Sequence, residues 1–176
     1  MCRDAGFTLL ELLVTLAIAA ILVTLAVPDF TASIRHNHAV ARVNELSAAL
    51  NYARHTAISR NHYVTLCKST DGRRCNHALQ SWNDGWLIFE NLDHDSPGQV
   101  DAGESVLRRH GPTTSRAQVI SNRVSFTFRP MGLRSVNGTF LYCSEDGKHD
   151  RTLIVNVMGR VRASDRPNAD TTLRCP

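Results

Sequence analysis

Residues 6–30, GFTLLELLVTLAIAAILVTLAVPDF, decide how the rest of the chain is read. From Phe7 to Val27 the only ionisable side chain is Glu11, and these 21 residues match the roughly 20 that a helix needs to cross a bilayer. A carboxylate within an apolar run is costly unless a positive group answers it, so Glu11 calls for a partner outside its own helix. A secretory leader starts in a similar way, but keeps charge out of its apolar core and ends in an A-x-A-like site. Here Glu11 follows shortly after Gly6, the small residue precedes the apolar stretch, and Pro28-Asp29-Phe30 closes it. The stretch therefore reads as an anchor.

Beyond Pro28 the pattern turns amphipathic. Val43, Leu46, Leu50, Ala53 and Ala57 step by 3, 4, 3 and 4, which is one helical stripe, with Arg42, Glu45, Asn51 and Arg54 on the remaining surface. The helix is expected to continue to about Arg60, on the order of 80 Å from Phe7, with a kink at Pro28. After Asn61 short β-branched and aromatic runs alternate with Gly, Asp and Asn. They predict strands at Tyr63–Lys68, Trp86–Asn91, Ser105–His110, Val124–Arg129, Gly138–Ser144 and Thr152–Val157. The architecture expected is α+β, a long N-terminal helix packed on an antiparallel β-sheet or sandwich domain.

At 176 residues the chain has room for one such domain plus the anchor. Its charge is uneven: residues 1–104 carry a net −3 and residues 105–176 a net +7. A basic C-terminal portion favours an anionic partner, nucleic acid or a lipid surface; ordinary solubilising arginines are the plainer alternative. Removal of the first six residues would take away Cys2 and leave Cys67, Cys75, Cys143 and Cys175. An even number behind a membrane anchor points to an oxidising compartment and two disulfides, with three connectivities open. The favoured pairing is Cys67–Cys75, closing a hairpin, with Cys143–Cys175, tying the tail to a strand, each contributing roughly 3 kcal/mol in the entropic model. No zinc-type C-x-x-C or C-x-x-H pair occurs.

Gly6-Phe7-Thr8-Leu9-Leu10-Glu11, behind a short charged leader and ahead of an apolar run ending in proline, resembles the prepilin cleavage site of type IV pilins and type II secretion pseudopilins. The resemblance implies that a prepilin peptidase cuts after Gly6 and methylates the new amine of Phe7. It also implies that Glu11 pairs with such an amine, that of a neighbouring subunit, and so guides insertion into a filament. A Glu11 that merely snorkels to the membrane face is the alternative. Trp82-Asn83-Asp84-Gly85-Trp86-Leu87-Ile88-Phe89, Asp101-x-Gly-Glu104, Phe126-x-Phe-x-Pro-Met-Gly132 and Gly159-Arg160-Val161-Arg162, in that order, look like the FimT/GspH group of minor pilins and pseudopilins. The implied division is a leader at 1–6, a transmembrane half-helix at 7–28, an amphipathic half-helix at 29–61 and a β domain at 62–176. The implied location is the inner membrane, single-pass with a periplasmic C-terminal domain, and then the pilus or cell surface.

Gly159-Arg160-Val161-Arg162 is similar to the Gly-Arg-x-Arg signature of FimT-type minor pilins that bind DNA in natural transformation. Gly159 can turn the chain, and alternation then sets Arg160 and Arg162 on one face roughly 7 Å apart, with Val161 toward the core. Guanidinium forks suit phosphate oxygens, and such contacts are salt-sensitive and carry little sequence information. Lys148, Arg151, Arg166 and Arg174, with Arg134, are candidates to widen the patch. Aromatic residues are sparse around them, so backbone recognition without base readout is expected. The partners expected are DNA, other major and minor pilins, the prepilin peptidase and, before assembly, the inner membrane. The competing reading is a GspH-like pseudopilin acting in protein secretion.

Asp93-x-Asp95-x-Pro97-Gly98-x5-Glu104 nearly fits a calcium loop, but Pro97 replaces an oxygen ligand and the expected flanks are strands, so an acidic turn is the better reading. The eight histidines fit no metal or triad spacing; His36, His38 and His55 fall along the helix as surface residues. No catalytic residue, cofactor or metal is expected, and the chain does not read as an enzyme.

Overall fold

The computed structural model describes residues 6, 8–78, 81–95, 98–132, 135–164 and 173–175; within the helix the side chains of Leu25, Ala26, Pro28 and Asp29 are outside that description. A single helix, α1, runs over Leu9–Arg60 and continues through Pro28 without a break in its assignment. Thr8 opens it: its Oγ1 accepts the Glu11 N–H at 3.3 Å and its carbonyl accepts the Leu12 N–H at 3.1 Å, satisfying donors that a helix start leaves orphaned. Glu11, in the first turn, is also favourably placed against the helix dipole. Within the apolar run the hydroxyls of Thr15 and Thr24 donate back to the carbonyls of Leu12 and Ile21, which leaves their polar atoms internally paired. Asn61, at φ 57, ends the helix in the left-handed conformation common at C-termini.

The chain divides into two units between His38 and Ala39; the sequence reading set its boundaries at 28/29 and 61/62. In the first unit the described side chains from Leu9 to Phe30 are all exposed, Leu9 at 77 % and Phe30 at 68 %, an apolar surface that calls for lipid or protein to cover it. Among the described residues no helix is long and apolar enough to cross a membrane. Of the 7–27 run, Phe7 and the side chains of Leu25 and Ala26 lie outside those described.

In the second unit eight strands follow α1: β1 (Tyr63–Lys68), β2 (Trp86–Asn91), β3 (Val106–His110), β4 (Gln118–Ser121), β5 (Ser125–Phe128), β6 (Gly138–Cys143), β7 (Arg151–Val155) and β8 (Val161–Ser164). They form two antiparallel four-stranded sheets, ordered β3-β2-β1-β5 and β4-β6-β7-β8. The α+β class is as expected. Strand β4 is additional: Gln118-Val-Ile-Ser offers two apolar residues after a polar run, too little for periodicity to register, and it forms by pairing with β6.

One core joins both sheets to the helix. The stripe Val43, Leu46, Leu50, Ala53 and Ala57 is buried against Val64, Leu66, Ile88, Phe126, Phe128, Phe140, Leu153 and Val155. Phe126 and Phe140 stack at 4.6 Å between centroids, and Trp82, in a 3-10 turn at Trp82–Asp84, meets Phe140 edge-on at 4.8 Å. The small alanines at 39, 49, 53 and 57 are fully buried; their size lets strand backbones approach the helix. Polar ties fix the orientation: Glu45 of α1 binds Arg42 at 2.7 Å and His110 of β3 at 2.9 Å, and Arg60 binds Glu90 of β2 at 2.7 Å. Disulfides join Cys67 to Cys75 and Cys143 to Cys175.

Candidate nucleic-acid interface

Strands β7 and β8 are joined by a tight turn at residues 156–160, and local hydrogen bonds account for its shape. Asn156 Oδ1 accepts the N–H groups of Met158 and Arg160 at 3.0 and 2.9 Å, the Gly159 N–H donates to the Asn156 carbonyl, and the Asn156 N–H to the Arg160 carbonyl. Such side-chain bonds are why asparagine favours turns. Gly159 takes φ +69, and a Cβ there would lie 3.0 Å from the Phe128 ring and 3.2 Å from Arg54 Cδ. Both the backbone conformation and the close approach favour glycine here.

Two further contacts clamp the turn from outside the hairpin. Arg54 of α1 donates through Nε to the Met158 carbonyl at 3.1 Å, and the Ser135 N–H donates to the Val157 carbonyl at 2.8 Å. The chain then enters β8 with Val161 packed on the core and Arg160 and Arg162 exposed. Arg162 lies opposite Ile154, and Ser164 opposite Thr152. Among the described residues neither Arg160 nor Arg162 has an ion-pair partner.

The remaining candidates separate. Arg151 shares strand parity with Leu153 and Val155, whose side chains enter the core, and it lines a small cavity with Arg42, Val43 and Leu46 of α1. It therefore belongs to the helix-facing side of β7, opposite to Arg162. Lys148 is exposed in the turn between β6 and β7, at the far end of β7 from Gly159, with its N–H on Asp146 Oδ1 at 3.0 Å. Arg174 is exposed beside Cys175, which the disulfide holds at the end of β6. Arg134 and Arg166 lie outside the described residues, as does Phe7; Gly6 and Glu11 are exposed.

Arg54 is the residue that sequence reasoning passed over. It occupies the polar surface of α1 like any solubilising arginine, and only the fold carries it to a turn 104 residues away. Its stem lies against Gly159, with Cδ 3.2 Å from where a Cβ would sit.

The acidic stretch after β2 folds as a turn stapled by Glu104, which accepts the N–H groups of Leu92 and Asp101, and by Asp95, which accepts from Asn91 Nδ2 and the Gln99 N–H. Carboxylate oxygens of Asp93, Asp95 and Asp101 gather within 4.8 Å of one another.

Comparison with known proteins places the chain in a family. The family model described as type II transport protein GspH matches residues 42–159, and the prokaryotic N-terminal methylation motif matches residues 1–27. A crystal structure of the Pseudomonas aeruginosa type IV minor pilin FimU, in space group P21, superposes with a TM-score of 0.52 at 23% identity, covering 73% of this chain and 89% of that one. A second FimU crystal form, P65, gives 0.50 at 23% identity, with coverages of 70% and 90%. At that identity the likeness is one of fold. No curated protein matches this chain significantly.

Proposed function

The chain belongs to the GspH family and carries the methylation motif of membrane-anchored pilins and pseudopilins, and from that premise we propose that it is a minor pilin of a type IV pilus that captures DNA for uptake. The carrying observation is the β7–β8 hairpin: a turn clamped by Arg54 and Ser135 presents Arg160 and Arg162 outward with no ion-pair partner among the described residues. Preorganised guanidinium groups bind phosphates without first breaking an internal pair. Gly159 sets the turn, and Lys148 and Arg174 add positive charge at greater distance; Arg134 and Arg166, outside the described residues, are further candidates by charge alone. The contacts are to the phosphate backbone, and the reading assigns no catalysis to the chain.

In this reading prepilin peptidase removes residues 1–6, Phe7 becomes the methylated N-terminus, and Glu11 answers the amine of a neighbouring subunit. The 7–28 half-helix crosses the inner membrane once. Residues from 29 onward stand in the periplasm, where the two disulfides are at home. Assembly then moves the chain with other pilins into the filament, where several weak sites gain avidity.

A second reading is a minor pseudopilin of type II secretion, favoured by the description of the matching family model. Fluorescence titration of the full-length protein in detergent micelles with a DNA duplex separates the two. The DNA reading predicts binding that weakens steeply with salt, and a salt slope about 1.8 units shallower once Arg160→Gln and Arg162→Gln remove two contacts. Unchanged affinity in that double variant removes the site, and no binding at low salt favours the pseudopilin.

A further inference from the structure

Beside the clamped turn lies a cleft of about 200 Å³, lined by Tyr63, His94, Asp95, Thr127, Arg129, Ser135 and Val136. These residues come from the start of β1, the loop after β2, and both sides of the β5–β6 connection. The cleft and the turn share a wall: Ser135, which lines the cleft, donates its N–H to the Val157 carbonyl of the turn.

The cleft is chemically unlike the arginine surface next to it. The Tyr63 and His94 rings lie 3.9 Å apart between centroids at an interplanar angle of 31°, and the Arg129 guanidinium stands 5.9 Å from the Tyr63 ring. His94 holds this position at φ 66, a backbone conformation uncommon for a side-chain-bearing residue and concentrated at functional sites. Asp95 lines the same space, with Asp93 and Asp101 close behind it. Carboxylates there repel a phosphate. They accept hydrogen bonds from ring nitrogens and exocyclic amines, and the flat aromatic and guanidinium groups suit a planar heterocycle.

We infer that this cleft receives a nucleobase from a single DNA strand whose phosphates follow Arg129 and the Arg160–Arg162 surface. The inference rests on the DNA-capture reading and gives it a substrate form, since a base inside a duplex cannot enter the cleft without leaving its stack. Tyr63 and His94 offer the stacking surface, Arg129 bridges base and backbone, and Asp95 and Thr127 meet the base edge. The chain thereby prefers single-stranded DNA while discriminating weakly among sequences.

The test measures the full-length protein in detergent micelles by fluorescence anisotropy at one fixed salt concentration. Three ligands of about 15 nucleotides are compared: a single strand, its duplex, and an abasic strand with the same phosphates. The wild type is expected to bind the single strand about ten-fold more tightly than the abasic strand, and more tightly than the duplex. His94→Ala and Tyr63→Leu bring the single strand to the abasic level and leave the abasic affinity alone, whereas the Arg160→Gln/Arg162→Gln variant weakens all three. His94 is exposed, so its variant carries the test even if Tyr63→Leu, at a half-buried position, lowers the melting temperature. Equal affinity for single and abasic strands, or a ratio unmoved by His94→Ala, removes the base subsite while the phosphate surface stands. Failure of all three ligands to bind removes the DNA reading and the cleft's role with it.

Discussion

Gly159 is the residue on which the proposed interface turns. Its φ of +69 and the Phe128 ring 3.0 Å from a built Cβ make any side chain there strained. Gly159→Ala is expected to cost about 2 kcal/mol, read as a fall in melting temperature of roughly 5–10 °C, and to weaken DNA binding although no charge is lost. Asp71 offers a different single-residue test. Backbone N–H groups of Arg73 and Arg74 hold its carboxyl below the ordinary carboxylate range. A depressed pKa in the folded state contributes stability above the unfolded value and loses it as pH falls through the folded one. Thermal melts of wild type and Asp71→Asn should therefore differ at neutral pH and converge as the solution is acidified below the ordinary carboxylate range. A gap that widens on acidification contradicts the assignment.

At the scale of elements, the helix and the first two strands were the most legible. Steps of 3 and 4 from Val43 to Ala57 identified the buried stripe of α1, and Tyr63–Lys68 and Trp86–Asn91 are β1 and β2 to the residue. The apolar–polar alternation that makes β8 an outward-facing strand was also readable, because Val161 between two arginines can face only one way. The same logic applied to β7 places Arg151 with Leu153 and Val155, on the helix-facing side. What sequence could not carry was long-range assembly: Tyr63, His94 and Arg129 meet only through the β1–β5 pairing and the loop after β2. The same holds for Arg54 and Met158. The Cys143–Cys175 bridge spans 32 residues and holds the tail at the end of β6. On the chain-entropy model its removal by Cys143→Ala/Cys175→Ala lowers stability by about 3–4 kcal/mol, measurable by urea unfolding. A change under about 1 kcal/mol contradicts a structural role.

Over the whole molecule, two physical problems are solved by different means. The second unit buries its apolar surface internally, with one core shared by two sheets and the C-terminal half of α1. The first unit leaves leucines, isoleucines and valines exposed along its helix, an apolar surface that calls for lipid or protein to cover it. In the proposed reading the acidic group in that apolar surface is answered by a cation, the amine that cleavage after Gly6 creates on Phe7 of a neighbouring subunit. Intact-mass spectrometry of the protein isolated from its native membrane tests this most directly. A mass beginning at Phe7 and heavier by one methyl group is predicted; a retained Met1, or a chain starting beyond Val27, contradicts it.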